Sequence, residues 1–345
     1  MAARWISKLP ALTAGRRSFS AVALREIAPS VWRLGEGRPR VAVLGGVHGN
    51  ELSGVEVVQR LLSDFRHMTP DLQISGEITL AIGNPPAVSR GVRFLHQDLN
   101  RCFCEALGGD ATPGEELARA KVLMPMLRDL DVLLDLHATN KPSTPFARLP
   151  GPVEGRKERF ASAERLFLRA LPCHTVLWDP NKLIAGGAMS DEYASQHAPF
   201  EACQRSGRQI HPAHICYESG LASDKSSAAA IYSAVQTCFA ELGIVAHPDG
   251  KASVEDEGGR QWEHFEITNV YKLDSRGFEW MNGYGTHNFQ VVPPETAFGR
   301  RLEPLEELVS PIGHESYIVF PKGEALRSPG WPVGWLARKL SPEEV

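Results

Sequence analysis

The sequence predicts an α/β protein, a mixed sheet flanked by helices with a smaller β-domain at its C-terminal end. Three observations carry this. Short apolar runs rich in Val, Leu and Ile, at residues 41–44, 78–82 and 132–136, read as buried strands. Between them lie stretches of helical period, such as Leu52, Val55, Val58 and Leu62. Beyond about residue 250 the pattern changes to alternating runs typical of small antiparallel sheets. The 345 residues suit a larger domain over 27–247 and a smaller one over 250–345.

Composition narrows the class. With 43% hydrophobic and 23% charged residues the chain can bury a sizeable core. A formal net charge of −4 argues against a general nucleic-acid surface. No apolar run approaches the roughly 20 residues of a membrane helix. The six cysteines are scattered without a CxxC, which suits reduced thiols better than a disulfide framework.

The elements follow in order. Residues 1–25 hold Arg4, Lys8, Arg16, Arg17 and Arg25, several hydroxyls and no acid. That is the composition of a transit peptide, and it points to the mitochondrial matrix, with a plastid, or a disordered tail on a cytoplasmic protein, as alternatives. The strand at 41–44 ends in Gly45-Gly46, and a helix is expected over 52–65. A second strand, 76–82, ends in the turn signal Gly83-Asn84-Pro85-Pro86. The loop after it carries Arg90, Arg93, Asp98, Asn100 and Arg101, a density of arginine that suits a carboxylate.

A helix is expected at 115–127 and a strand at 132–137; helix 156–171 and strand 174–178 come next. Residues 179–212 read as irregular, with His197 and His211 as surface residues. A strand beginning at His214 carries Glu218 near its end, and helix 226–242 closes the larger domain. In the smaller one, residues 265–270 and 317–320 read as strands, with Trp262, Trp280, Trp331 and Trp335 as core candidates.

The chemistry gathers at strand ends. His48 and Glu51 lie three residues apart where the first long strand turns into a helix. In open α/β sheets that crevice binds ligands. An imidazole and a carboxylate on one turn can share a zinc ion, which takes such atoms at about 2.0–2.2 Å. His137, at the end of another strand, supplies a third ligand. This HxxE pattern with a distant strand-end His is that of zinc carboxypeptidases. A phosphate cradle is the competing reading of the glycine-rich turn, but Glu51 would repel a phosphate and the turn has no Lys. Asp135 shares a strand face with His137 and could orient it. Glu218 lies at the same sheet edge, as a candidate proton acceptor or an ordinary strand-end carboxylate.

His48-Gly-Asn-Glu51, Asp98-Leu-Asn-Arg101 and Asp135-Leu-His137, in that order, resemble the succinylglutamate desuccinylase/aspartoacylase family of zinc deacylases, with a carboxypeptidase-like fold. The resemblance extends over roughly residues 38–345. It implies one Zn²⁺ per chain on His48, Glu51 and His137, and a hydrolase that cleaves the linear, non-peptide amide bond of a small N-acyl amino acid. It assigns Glu218 as the general base for a zinc-bound water and Arg93 as the group that steadies the oxyanion. Asn100 and Arg101 would bind a substrate carboxylate, and Arg208 would assist them. The stretch 323–326 offers no counterpart of the tyrosine that lines the aspartoacylase pocket, and the loop 138–146 matches neither named enzyme, so the acyl group and amino acid stay open. Two rivals remain: a metallocarboxypeptidase acting on peptides, and a catalytically silent protein binding zinc or a carboxylate. No nucleic-acid or membrane partner is expected, and a homo-oligomer is left open.

Overall fold

Alternation along the strands decides which layer each side chain joins. The computed structural model describes residues 23–67, 74–105, 114–151, 162–199, 203–205, 208–245, 261–273, 277–327 and 329–345. The segment 1–22, most of the proposed targeting region, lies outside them. The N-terminal part holds β1 (Arg25–Ala28), β2 (Val31–Glu36), β3 (Arg40–Gly45), β4 (Gly76–Ile82), β5 (Val132–Thr139), β6 (Phe146–Leu149), β7 (Thr175–Trp178), β8 (Cys203–Arg205), β9 (Arg208–Ile210) and β10 (Ala213–Leu221). Its helices are α1 (Leu52–Arg66), α2 (Pro85–Arg90), α3 (Glu115–Leu127), α4 (Ser162–Ala170), α5 (Ser190–Gln196) and α6 (Ala228–Glu241). The C-terminal part adds β11 (Glu263–Lys272), β12 (Phe278–Trp280), β13 (Gln290–Val292), β14 (Ala297–Leu302), β15 (Leu305–Val309), β16 (Ser316–Val319) and β17 (Pro332–Lys339).

Twelve strands form one mixed sheet in the order β1-β2-β4-β3-β5-β10-β6-β7-β11-β17-β16-β13. Its centre is parallel: β3 pairs with β4 and β5, and β5 with β10. The C-terminal strands continue this sheet, because β11 pairs in parallel with β7 and carries β17 and β16 beyond it. A separate antiparallel sheet, β12-β14-β15, flanks that end. The predicted α/β class, a large mixed sheet with helices and a small C-terminal β-structure, is what the chain adopts.

Helices cover both faces. Val41 and Val43 of β3, with Leu134 and Leu136 of β5, pack under α1, α4 and α6. Ala42, Leu44 and Leu133 point the other way, to α3 and α5. Asp135 and His137 fall on the same face as Leu133 by the two-residue period of a strand. A buried Val or Leu there would stabilise the fold by about 1.5–3 kcal/mol. Placing fully buried polar groups in its stead therefore marks the point where packing yields to chemistry.

Two expectations need correction. Residues 190–196 of the stretch read as irregular form helix α5, and 203–205 with 208–210 form a short hairpin. The start of α5 is fixed by Glu192, whose carboxylate accepts from the backbone N–H groups of Gly187 at 2.8 Å and Met189 at 3.4 Å. The helix has few apolar residues, so its periodicity was too weak to register. Among the tryptophans, Trp335 is buried and Trp280 packs on the C-terminal core, but Trp262 packs against the main core and Trp331 is exposed. No helix of the described residues is long and apolar enough to cross a membrane.

Candidate metal centre and active site

The parallel centre of the sheet delivers four groups to one edge. β3 ends at Gly45, and the turn after it carries His48 and Glu51. Gly49 is required in this turn: a Cβ there would stand 2.1 Å from the carbonyl carbon of Ala87 in α2. The Gly49 N–H instead donates to the Arg93 carbonyl at 3.1 Å, which ties the turn to the arginine loop. His137 comes from the C-terminal end of β5, and Glu218 of β10 stands in register beside it.

His48, Glu51 and His137 are buried, and their candidate ligand atoms all lie within 4.8 Å of one another. His48 Nδ1 is 2.9 Å from Glu51 Oε1, and His137 Nδ1 is 3.0 Å from Glu51 Oε2. The two Nδ1 atoms are 3.2 Å apart. Each outer ring nitrogen faces a carboxylate: His48 Nε2 to Asp98 Oδ1 at 2.9 Å, and His137 Nε2 to Asp135 Oδ2 at 2.9 Å. If each Nε2 carries the proton it donates, each Nδ1 presents a lone pair inward, toward an anionic carboxylate. Acceptors this close repel one another unless a proton or a cation sits among them. The donor set of two imidazoles and one carboxylate, each imidazole held from behind by an acid, is the kind that suits zinc.

The supporting acids are themselves fixed. The Asn100 N–H donates to Asp98 Oδ1 at 2.9 Å, and Arg93 Nη2 donates to Asp98 Oδ2 at 3.2 Å. Burial works against the charge on Asp98, but His48, Arg93 and Arg101 outweigh it and hold its pKa well below the usual carboxylate range. Asp135 accepts from the Ser190 hydroxyl of α5, while the Ser190 N–H donates to Asn100 Oδ1 at 3.0 Å. Glu51 is likewise anionic: burial opposes its charge, and His48 and His137 overcome that. Its carboxylate also accepts from Arg93 Nη1 at 3.1 Å and from the Ala138 N–H at 3.0 Å.

Glu218 differs. It is buried, its Oε2 has no hydrogen-bond partner, and desolvation pushes its pKa up to about 7 against the pull of His137. These groups line a cavity of about 570 Å³ with Arg93, Asn100, Arg101 and Lys141. Phe320, Lys322 and Trp335 close it from the C-terminal part. The structure thus brings His48, Glu51, His137, Arg93, Asn100, Arg101 and Glu218 together. Arg208 begins β9, but its side chain lies outside the described residues.

Sequence reasoning missed Asp98 as the partner of His48, Ser190 as the link between Asp135 and Asn100, and the lysines 141 and 322. It also missed Arg148, which lines the cavity and is neutralised by Asp179, Asp191 and Glu192. Only Asp98 carried a usable signal, being the first residue of the motif that ends at Arg101.

Fold and site together define a mixed α/β protein with a buried His-Glu-His cluster at the carboxyl ends of parallel strands. Residues 37–176 match the succinylglutamate desuccinylase/aspartoacylase catalytic domain. Over 107 residues the chain is 38% identical to a probable aspartoacylase of Nostoc sp., covering 29% of this chain and 35% of that protein. Over 86 residues it is 36% identical to a succinylglutamate desuccinylase of Yersinia pestis, covering 24% of each. The match thus spans about a third or less of these curated relatives. The crystal structure of the succinylglutamate desuccinylase from Chromobacterium violaceum shares the fold, with a TM-score of 0.65 and 22% identity over 93% of this chain and 91% of that one. Over residues 37–176 the chain is thus similar to the catalytic domain of the succinylglutamate desuccinylase/aspartoacylase family.

Proposed function

We propose that this protein is a zinc-dependent amidohydrolase that removes the acyl group from a small N-acyl amino acid. The convergence of His48, Glu51 and His137 beside an unpartnered Glu218 carries this reading. His48, Glu51 and His137 would hold the metal; when bound, zinc would supply a Lewis acid that acidifies a water and polarises the amide carbonyl. Glu218, with a pKa of about 7, can take a proton from water and return it to the departing amine near neutral pH. Arg93 steadies negative charge developing on the carbonyl oxygen; such preorganised charge contributes about 3–4 kcal/mol in comparable sites.

The Asn100 side-chain oxygen is committed to the Ser190 N–H, which leaves its amide nitrogen to donate to a substrate carboxylate with Arg101. Phe320, Lys322 and Trp335 of the C-terminal part wall one side of the cavity, which suits a small substrate better than a peptide and disfavours the carboxypeptidase alternative. Delivery to the mitochondrial matrix rests on the composition of residues 1–25 alone.

The test is hydrolysis of a panel of N-acetyl and N-succinyl amino acids, and of peptides, by the zinc-loaded protein and by Glu218→Gln. The expected result is release of an acyl group from an acyl amino acid, with kcat/KM about 10²–10⁴-fold lower in Glu218→Gln and zinc content unchanged. Undiminished activity in Glu218→Gln, or trimming of peptides from the C-terminus, would refute the assignment.

A further inference from the structure

The two imidazoles of the cluster are joined behind their rings by a run of hydrogen bonds, and Ser190 stands in the middle of it. From one end, His48 Nε2 meets Asp98 Oδ1 at 2.9 Å, and the Asn100 N–H donates to the same oxygen at 2.9 Å. From the other, His137 Nε2 meets Asp135 Oδ2 at 2.9 Å. Ser190 closes the gap with both of its donors. Its N–H donates to Asn100 Oδ1 at 3.0 Å, and its hydroxyl donates to Asp135 Oδ2.

Both contacts are shut off from water. Ser190 and Asp135 are fully buried, and so, nearly, is Asn100. Asp135 Oδ1 has no hydrogen-bond partner, so among the described residues the carboxylate is held only by Ser190 and by the His137 ring it orients. Without the hydroxyl, that ring would be the sole restraint on the acid behind it. Asn100 is fixed in a different sense. A flipped amide would set its NH₂ against the Ser190 N–H, donor to donor, so the N–H decides which end of the amide faces the cavity.

Ser190 is itself held firmly. It opens α5, and the next two residues, Asp191 and Glu192, are ion-paired with the buried Arg148. A serine near a helix start commonly spends its hydroxyl on the helix's own backbone. Here it points away from the helix, into the supports of the site. We propose that Ser190 is a positioning residue shared by the metal centre and the carboxylate clamp. Its hydroxyl tunes zinc affinity through Asp135 and His137, and its N–H tunes carboxylate affinity through Asn100. This rests on reading the cavity as the active site of a zinc deacylase.

The two donors can be removed in turn. Ser190→Ala deletes the hydroxyl alone, and Ser190→Thr keeps both donors. Ser190→Pro deletes both, and the backbone admits it. Proline is at home at the first position of a helix, and Met189 before it, at φ −85° and ψ 158°, already has the extended conformation that proline demands of its predecessor. Competition with a chelator reads zinc affinity. Calorimetric titration of the zinc-saturated protein with butyrate reads carboxylate affinity. Ser190→Ala is expected to weaken zinc binding about tenfold and to leave butyrate binding near that of the wild type. Ser190→Thr should hold zinc near the wild-type value. Ser190→Pro should lose zinc as Ser190→Ala does and, in addition, bind butyrate about fivefold or more weakly.

Wild-type zinc affinity in Ser190→Ala, or an equal loss in Ser190→Ala and Ser190→Thr, would overturn the role of the hydroxyl. No butyrate binding by the wild type, or equal binding by Ser190→Ala and Ser190→Pro, would overturn that of the N–H. Lowered thermal stability with both affinities unchanged would make Ser190 a packing residue and refute the proposal. Where Ser190→Pro does not fold, the comparison of Ser190→Ala with Ser190→Thr decides it. Neither affinity depends on turnover, so a protein that meets both expectations but cleaves no acyl amide would refute the deacylase reading alone.

Discussion

At the scale of single residues, the site works by giving similar side chains opposite tasks. Glu51 and Glu218 are both buried carboxylates within one cavity. Glu51 faces two imidazoles, an arginine and a backbone N–H, and so stays anionic. Glu218 has an oxygen without a partner and a pKa of about 7. In the proposed mechanism these surroundings suit Glu51 to hold a metal and Glu218 to carry a proton. Asp135 has a narrower task, fixing the orientation of His137 through the 2.9 Å contact at Nε2. Asp135→Asn should weaken zinc binding about 10–100-fold, as measured by competition with a chelator. Unchanged affinity would show that the His137 ring is oriented without it.

At the scale of elements, α3 anchors the arginine loop. Glu116, in its first turn, accepts from the Leu95 N–H at 2.6 Å, the His96 N–H at 3.4 Å and Asn84 Nδ2 at 3.3 Å. These bonds pin the loop between Arg93 and Arg101 against the end of β4. Burial raises the Glu116 pKa, but the backbone N–H groups and Asn84 outweigh it, so the folded value lies below the ordinary 4.5. A depressed folded pKa contributes stability that is present above the unfolded value of 4.5 and is lost as pH falls through the folded one. Glu116→Gln should therefore destabilise the protein by about 1–2 kcal/mol at pH 7. The difference should shrink as acid protonates the wild-type carboxyl. Thermal unfolding across that range checks it, and a pH-independent gap would contradict the assignment.

At the scale of the whole molecule, the sheet order matters most, because it sets β3, β5 and β10 side by side. The strands that lead to His48 or carry His137 and Glu218 were legible as apolar runs ending in polar groups, since a buried parallel strand leaves little choice of residue. Their adjacency was not legible, because register between distant strands is fixed by packing. α5 escaped notice for its lack of apolar period, and Ser190 with it. Lys322 looks like any surface lysine until β16 and β17 fold its loop over the cavity. The continuation of the sheet through β11 was equally hidden, as a strand looks alike in either neighbourhood.

The account stands on a metal held by residues from two of these strands, and zinc stoichiometry tests that most directly. The purified wild type, reconstituted and dialysed, should hold one zinc per chain, and His137→Ala, folded by circular dichroism, should hold none. No zinc in the wild type, or equal zinc in both, would contradict it.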